Sequence, residues 1–390
     1  MYRIGWMCVC ALAVASNARA QEHWEFMQDG ILFAEFNHQG GPRGGNEFVA
    51  PNWWMGMATR DTSRGRLTVT AMFSLDPATD GQSGYGELFQ AGEALNGRPL
   101  IDRQHPHDAF MQLAMVWRTP ITPATGFTIA GGPAGEPALG PVAFMHRPSA
   151  MDNPTAPLSH HTFDSTHVAF GVVTAAIDHG PFVVEGSLFN GREPDENRWD
   201  FDFGRLDSFS GRVWYRPNDE WELQASSGRL VSPEELEPGN TIRSTASASW
   251  TRKNGATMTG VAFGVGHNAT DHGSRTAFFA EAAHHADANT LYSRFETLQV
   301  EIAGDDAPVM ALTLGGVRDL MSWDGFDGGV GADVTFYRVT DTLQPLYSPH
   351  PVSVHVFFRL RPPAGMMGRM WNMRMSQPMA GHTMMKGSQP

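Results

Sequence analysis

The stretch PVSVHVFFRLR at residues 351–361 places Val352, Val354, Val356, Phe358 and Leu360 on one side of an extended chain. Ser353, His355, Arg359 and Arg361 fall on the other. Successive side chains of a strand point to opposite faces, so one face is apolar and the other carries full charges. A β-sandwich would hide the apolar face against a second sheet. A barrel in lipid turns it outward and keeps the charges in a wet lumen.

The same alternation recurs upstream. Ile242, Ala246, Ala248 and Trp250 oppose Arg243, Thr245, Ser247 and Ser249, and Met111, Leu113, Met115 and Trp117 oppose Gln112, Ala114 and Arg118. Taken in order, the chain offers about sixteen strand candidates, beginning with residues 31–38. Tight turns such as RDTSRG (60–65), DHGP (178–181), PND (217–219) and KNG (253–255) alternate with longer connections. Short turns on one side and long loops on the other are the pattern of an outer-membrane barrel, and an even strand number returns both ends to one side. Trp53, Trp54, Trp117, Trp214 and Trp221 stand near strand ends, as an aromatic girdle requires.

Composition agrees. The chain has 41% hydrophobic and 18% charged residues, below the usual share of both in soluble domains. Arg3, an apolar run over residues 4–15 and small residues at Ala18 and Ala20 predict a secretory signal peptide over residues 1–20. Both cysteines, Cys8 and Cys10, lie inside it, so the exported part has no thiol for a disulfide or a metal. With 41 acidic against 28 basic residues the formal charge is −13, which argues against nucleic acid as a partner. The expected organisation is a signal peptide (1–20), an all-β antiparallel transmembrane β-barrel (21–361) and a methionine-rich tail (362–390), with outer-membrane lipid as its surroundings.

Two loops interrupt the regular rhythm, at residues 75–107 and 131–163. Structureless segments of that length in a compact domain are usually functional. The first leads into IDRQHPHD (101–108) and carries His105 and His107. The second holds His146, His160 and His161, and His167 lies four residues beyond its end. In an extended backbone residues two apart point the same way. His105 and His107 can then offer two imidazoles to one Cu(II), Zn(II) or similar ion, with Asp102 or Asp108 orienting a ring and the histidines around the other loop completing the set. The bland alternative is that these histidines only tie the loops to each other and to the wall.

Eight of the 21 methionines lie in the last 25 residues: Met366, Met367, Met370, Met373, Met375, Met379, Met384 and Met385. Thioethers are soft ligands suited to Cu(I), so copper is the favoured ion; the alternative is a tail without a role. The acidic stretch 190–207 interleaves Arg192, Arg198 and Arg205 with its carboxylates, which favours ion pairing over a calcium site. Ser159, His160, His161, Asp164 and Ser165 supply the residue types of a hydrolase, but no G-x-S-x-G accompanies them. Catalysis is not expected.

The whole exported chain resembles bacterial outer-membrane β-barrel proteins. NWWMGMA, GYGELFQAGE, IDRQHPHD, GEPALGPVAFMHRPSA and FNGREPDENRWDFDFGRLDS are similar to an uncharacterised barrel family associated loosely with metal resistance. That resemblance implies the fold and no particular activity. The expected function is passage or binding of a small solute or metal ion. The alternatives are a secreted or periplasmic soluble all-β metal-binding protein and an outer-membrane hydrolase.

Overall fold

A computed structural model describes residues 23–163, 169–302 and 305–362. Sixteen antiparallel strands close into one barrel. They are β1 (Trp24–Gln39), β2 (Asn52–Thr62), β3 (Gly65–Phe73), β4 (Phe110–Thr122), β5 (Thr125–Ala134), β6 (Val172–His179), β7 (Phe182–Phe189) and β8 (Ser208–Tyr215). They continue as β9 (Trp221–Val231), β10 (Asn240–Asn254), β11 (Thr257–Thr270), β12 (Gly273–Ala286), β13 (Asn289–Ile302), β14 (Asp305–Trp323), β15 (Phe326–Val339) and β16 (Val352–Arg361).

Each strand pairs with its sequence neighbour, and β1 meets β16 from Leu32↔Leu360 to His38↔Val354. That last ladder leaves no open edge, which a wall facing lipid demands because every backbone amide must be paired. Strand β1 starts at Trp24, well before the expected residue 31, and its first half pairs with β2. Seven tight turns gather at the end where β1 begins and β16 ends, while the long connections gather at the other. We call these the turn end and the loop end.

Alternation holds through most of the wall. In β16, Ser353, His355, Phe357 and Arg359 are buried inward, while Val354 and Val356 are exposed outward. Two departures are informative. Met111 faces inward because the β3–β4 register shifts between Met72 and Phe73, and this bulge reverses its parity relative to Leu113 and Met115. Trp53 and Trp214 do not belong to an outer girdle; both face the lumen, 7% and 3% exposed, where Trp214 Nε1 donates to Glu185.

The lumen is filled by the two long loops. The described part of loop 135–171 runs inside the barrel and sets Phe144, Met145, Ala150 and Ala156 against Ile31, Phe33, Trp53, Met55 and Phe357 of the wall. Asp152 meets both Arg359 and Arg361, and Arg359 also holds Asp319 at 2.5 Å. Arg147 grips Glu281 with two hydrogen bonds of 2.7 and 2.9 Å, and Arg294 donates to the carbonyls of Thr155 and Ala156. Gly260 lies against the backbone of Pro148 and Ser149, where a side chain would collide. Inward charges of the wall, among them Arg294, Glu281, Arg359 and Arg361, therefore bind the plug.

Loop 74–109 covers the plug nearer the loop end. Asn37 donates to the carbonyl of Gly86, Gln39 accepts from Leu88 N, and Asp102 accepts from Phe89 N and from Tyr347. Leu88 and Phe89 pack with Tyr337, Tyr347, Phe163 and Phe279. The loops also meet directly, because Ala156 N donates to Tyr85 Oη at 3.0 Å.

Removing one partner of a buried ion pair leaves an uncompensated charge and costs about 3–5 kcal/mol. Asp152→Ala is therefore expected to lower stability by about that amount and to loosen the plug. Heat-dependent gel mobility should shift to lower temperature, and planar-bilayer recordings should show openings rarer in the wild type.

Candidate metal centre at the loop end

The chain from Gln90 to Asp108 doubles back on itself. Two short ladders, Tyr85–Gly86 with Arg103–Gln104 and Glu93–Leu95 with Arg98–Leu100, hold the fold-back, and it ends with His105 3% exposed. From the other loop, a single helical turn, His160–Phe163, presents two more imidazoles. Glu296 fixes that turn from the wall, accepting from Ser159 N at 2.9 Å and Ser159 Oγ at 2.6 Å.

His105, His160 and His161 each bring one ring nitrogen, and the three atoms lie within 4.8 Å of one another. An ion centred among them lies within about 2.8 Å of each before any side chain turns, against about 2.0–2.1 Å for a formed Zn–N bond. Backbone carbonyls orient two of the rings. His105 Nδ1 lies 3.1 Å from the Pro106 carbonyl and His160 Nδ1 2.7 Å from the Pro157 carbonyl. A carbonyl only accepts, so these contacts favour the proton on Nδ1; His160 Nδ1 also lies 3.2 Å from the Gln90 side-chain amide. Gly92 allows the third ring its place: it sits at φ +129°, and a Cβ there would lie 3.1 Å from the His161 ring.

Carboxylates surround the cluster. Glu93 Oε1 is 3.6 Å from His105 Nε2, while its other oxygen accepts from Arg198 at 2.8 Å. Glu193 Oε1 is 3.6 Å from His161 Nδ1. Burial pushes the Glu193 and Glu234 carboxyls well above the usual range; Glu93 adds to the effect at Glu193, and Glu193 at Glu234. A vestibule of about 640 Å³ opens above them, with His161 and seven carboxylates, from Glu93 to Glu237, in its lining. The two arginines there are paired, Arg192 with Asp207 at 3.0 Å and Arg275 with Glu237 at 3.3 Å.

The other candidates from the sequence lie elsewhere. His107 does not share the cluster: its Nδ1 lies 2.7 Å from Asp76, so it ties the loop to the short helix Asp76–Thr79. The orienting role expected of Asp102 or Asp108 falls to the proline carbonyls, since Asp102 binds Arg43 and Tyr347 and Asp108 binds Arg198. His146 packs edge-on against Trp53, ring centroids 4.8 Å apart, deep in the plug. His167 and Met366, Met367, Met370, Met373 and Met375 lie outside the described residues, as do Asp164 and Ser165. Ser159 is 1% exposed and gives its hydroxyl proton to Glu296, not to an imidazole. No motif marks Glu93, Glu193 or Glu234 in the sequence; the density of acids in 190–207 is the one signal for Glu193.

Sequence comparison finds no matching family profile and no matching curated protein. By fold the chain is similar to an anion-selective porin of Comamonas acidovorans, at 11% identity, covering 87% of this chain and 100% of that one, with a TM-score of 0.52. It also aligns with a loop-deletion mutant of OmpT, an outer membrane protein of Vibrio cholerae, at 12% identity, 86% and 99% coverage and a TM-score of 0.49. The porin likeness extends to the barrel fold alone.

Burial lowers the His146 pKa from 6.5 to about 3. Because the folded-state value is the lower one, this residue's stabilisation is complete above pH 6.5 and is lost as pH falls toward 3. Between pH 7 and 4.5 the loss at this residue is about 2–3 kcal/mol. Thermal unfolding across that range should show it, and His146→Gln should flatten that part of the profile.

Proposed function

We propose that this chain is an outer-membrane barrel that takes up a transition-metal ion at its loop end, with a plugged lumen in place of an open diffusion pore. Its seat in the membrane is supported by the closed wall and by outward side chains such as Ile129, Val184, Leu188, Val265 and Leu314, each at least 46% exposed. The observation that carries the metal reading is the meeting of three imidazole nitrogens from two separate loops within 4.8 Å. Neutral imidazoles suit Zn, Cu, Ni and Fe and bind the hard ions Mg and Ca poorly. Copper is the ion that connects this site with the methionine-rich stretch, since imidazole accepts Cu(II) and thioether Cu(I).

Titration of the purified protein in detergent with Zn(II) and Cu(II) should show one tight site. His105→Ala and His160→Ala are each expected to weaken it by at least about tenfold, and His107→Ala to leave it unchanged. Equal, negligible binding in wild type and variants would remove the reading. A truncation at Pro362, titrated with Cu(I), isolates any contribution of the methionines. Planar-bilayer conductance of the wild type should stay well below that of an open barrel of sixteen strands.

A further inference from the structure

We infer that Glu93 and Glu193 complete the site, giving three nitrogens and two oxygens, and that the ion it takes is a divalent one of intermediate softness, such as Zn²⁺, Ni²⁺ or Cu²⁺. This rests on the three-imidazole reading above and concerns what surrounds it. Ligand atoms about 2.0–2.1 Å from such an ion sit about 2.8–3.6 Å apart in a five-coordinate, trigonal-bipyramidal shell. The two carboxylate-to-imidazole distances, both 3.6 Å, are too long for hydrogen bonds and at the upper end of that range.

Glu93 is already held for the task. One oxygen is anchored by Arg198, which is itself 5% exposed and also bound to Asp108, and the other faces His105. An outer partner that fixes a ligating carboxylate in this way is usual at metal centres. Glu193 comes from a different loop, its backbone N–H held by the Pro233 carbonyl at 3.0 Å and its Oε1 3.6 Å from His161 Nδ1. Binding of the ion displaces the Glu193 proton to solvent, and three neutral imidazoles with two carboxylates then match the charge of a dication. A monovalent soft ion such as Cu⁺ gains little from carboxylate oxygen, so the acids discriminate by charge and hardness. The paired arginines leave the vestibule net acidic, which raises the local concentration of cations in front of the site.

The test uses the full chain in detergent and the metals alone as probes, namely Zn²⁺, Ni²⁺, and Cu⁺ kept reduced. Glu193→Gln and the double variant with Glu93→Gln are expected to lower Zn²⁺ and Ni²⁺ affinity by about 10- to 100-fold. The part of Cu⁺ binding that is lost in His105→Ala/His160→Ala should be unchanged by either. Raising the salt concentration should slow Zn²⁺ association in the wild type. Because Glu93→Gln disturbs the Arg198 pair, Glu193→Gln alone and Glu193→Asp, with normal heat-dependent mobility as the folding control, keep the test decisive. Zn²⁺ affinity unchanged in Glu193→Gln and in the double variant, but lost in the histidine variants, would overturn this inference and leave the three-imidazole site standing. No Zn²⁺ or Ni²⁺ binding in the wild type would overturn both.

Discussion

Two arginines of the last strand, Arg359 and Arg361, point into the barrel, and Asp152 in the middle of a wall-to-wall loop meets both of them. A guanidinium in a closed, low-dielectric lumen is tolerable only with a carboxylate against it. That requirement pulls the described part of loop 135–171 inside, and Glu281 of β12 makes a second such pair with Arg147, the carboxylate now on the wall and the arginine on the plug. Most of what distinguishes this barrel from an open pore comes from these few pairs.

Once the plug is in place, its upper end has little freedom. Glu296 takes the Ser159 amide and hydroxyl, which sets the helical turn carrying His160 and His161. Asp102 ties the other loop to Arg43 and Tyr347 and so fixes the approach of His105. Imidazoles from segments more than fifty residues apart in sequence therefore converge through anchors in the wall. A site built this way is preorganised by the same ion pairs that close the lumen, which links stability of the plug to the chemistry at the mouth.

The barrel was legible in the sequence because period-2 alternation is local and repeats in strand after strand. The pattern misleads where the period breaks: the bulge at Met111 moves one side chain inward, and Trp53 and Trp214 occupy inward parity despite standing near strand ends. The loops were less legible. Histidine content marked both, but which histidines meet depends on anchors such as Glu296–Ser159 and His107–Asp76 that join residues remote in sequence. The spacing of His105 and His107 suggested a shared ion, yet Asp76 takes His107, while Glu93 and Glu193 carried no motif at all.

X-ray absorption at the zinc edge of the purified, zinc-loaded protein reads the ligands of the loop-end site. Imidazole nitrogen with carboxylate oxygen at about 2.0–2.2 Å is the expected coordination, with the imidazole signature lost in His105→Ala/His160→Ala/His161→Ala. A shell of oxygen alone, or one of sulfur near about 2.3 Å, would contradict it.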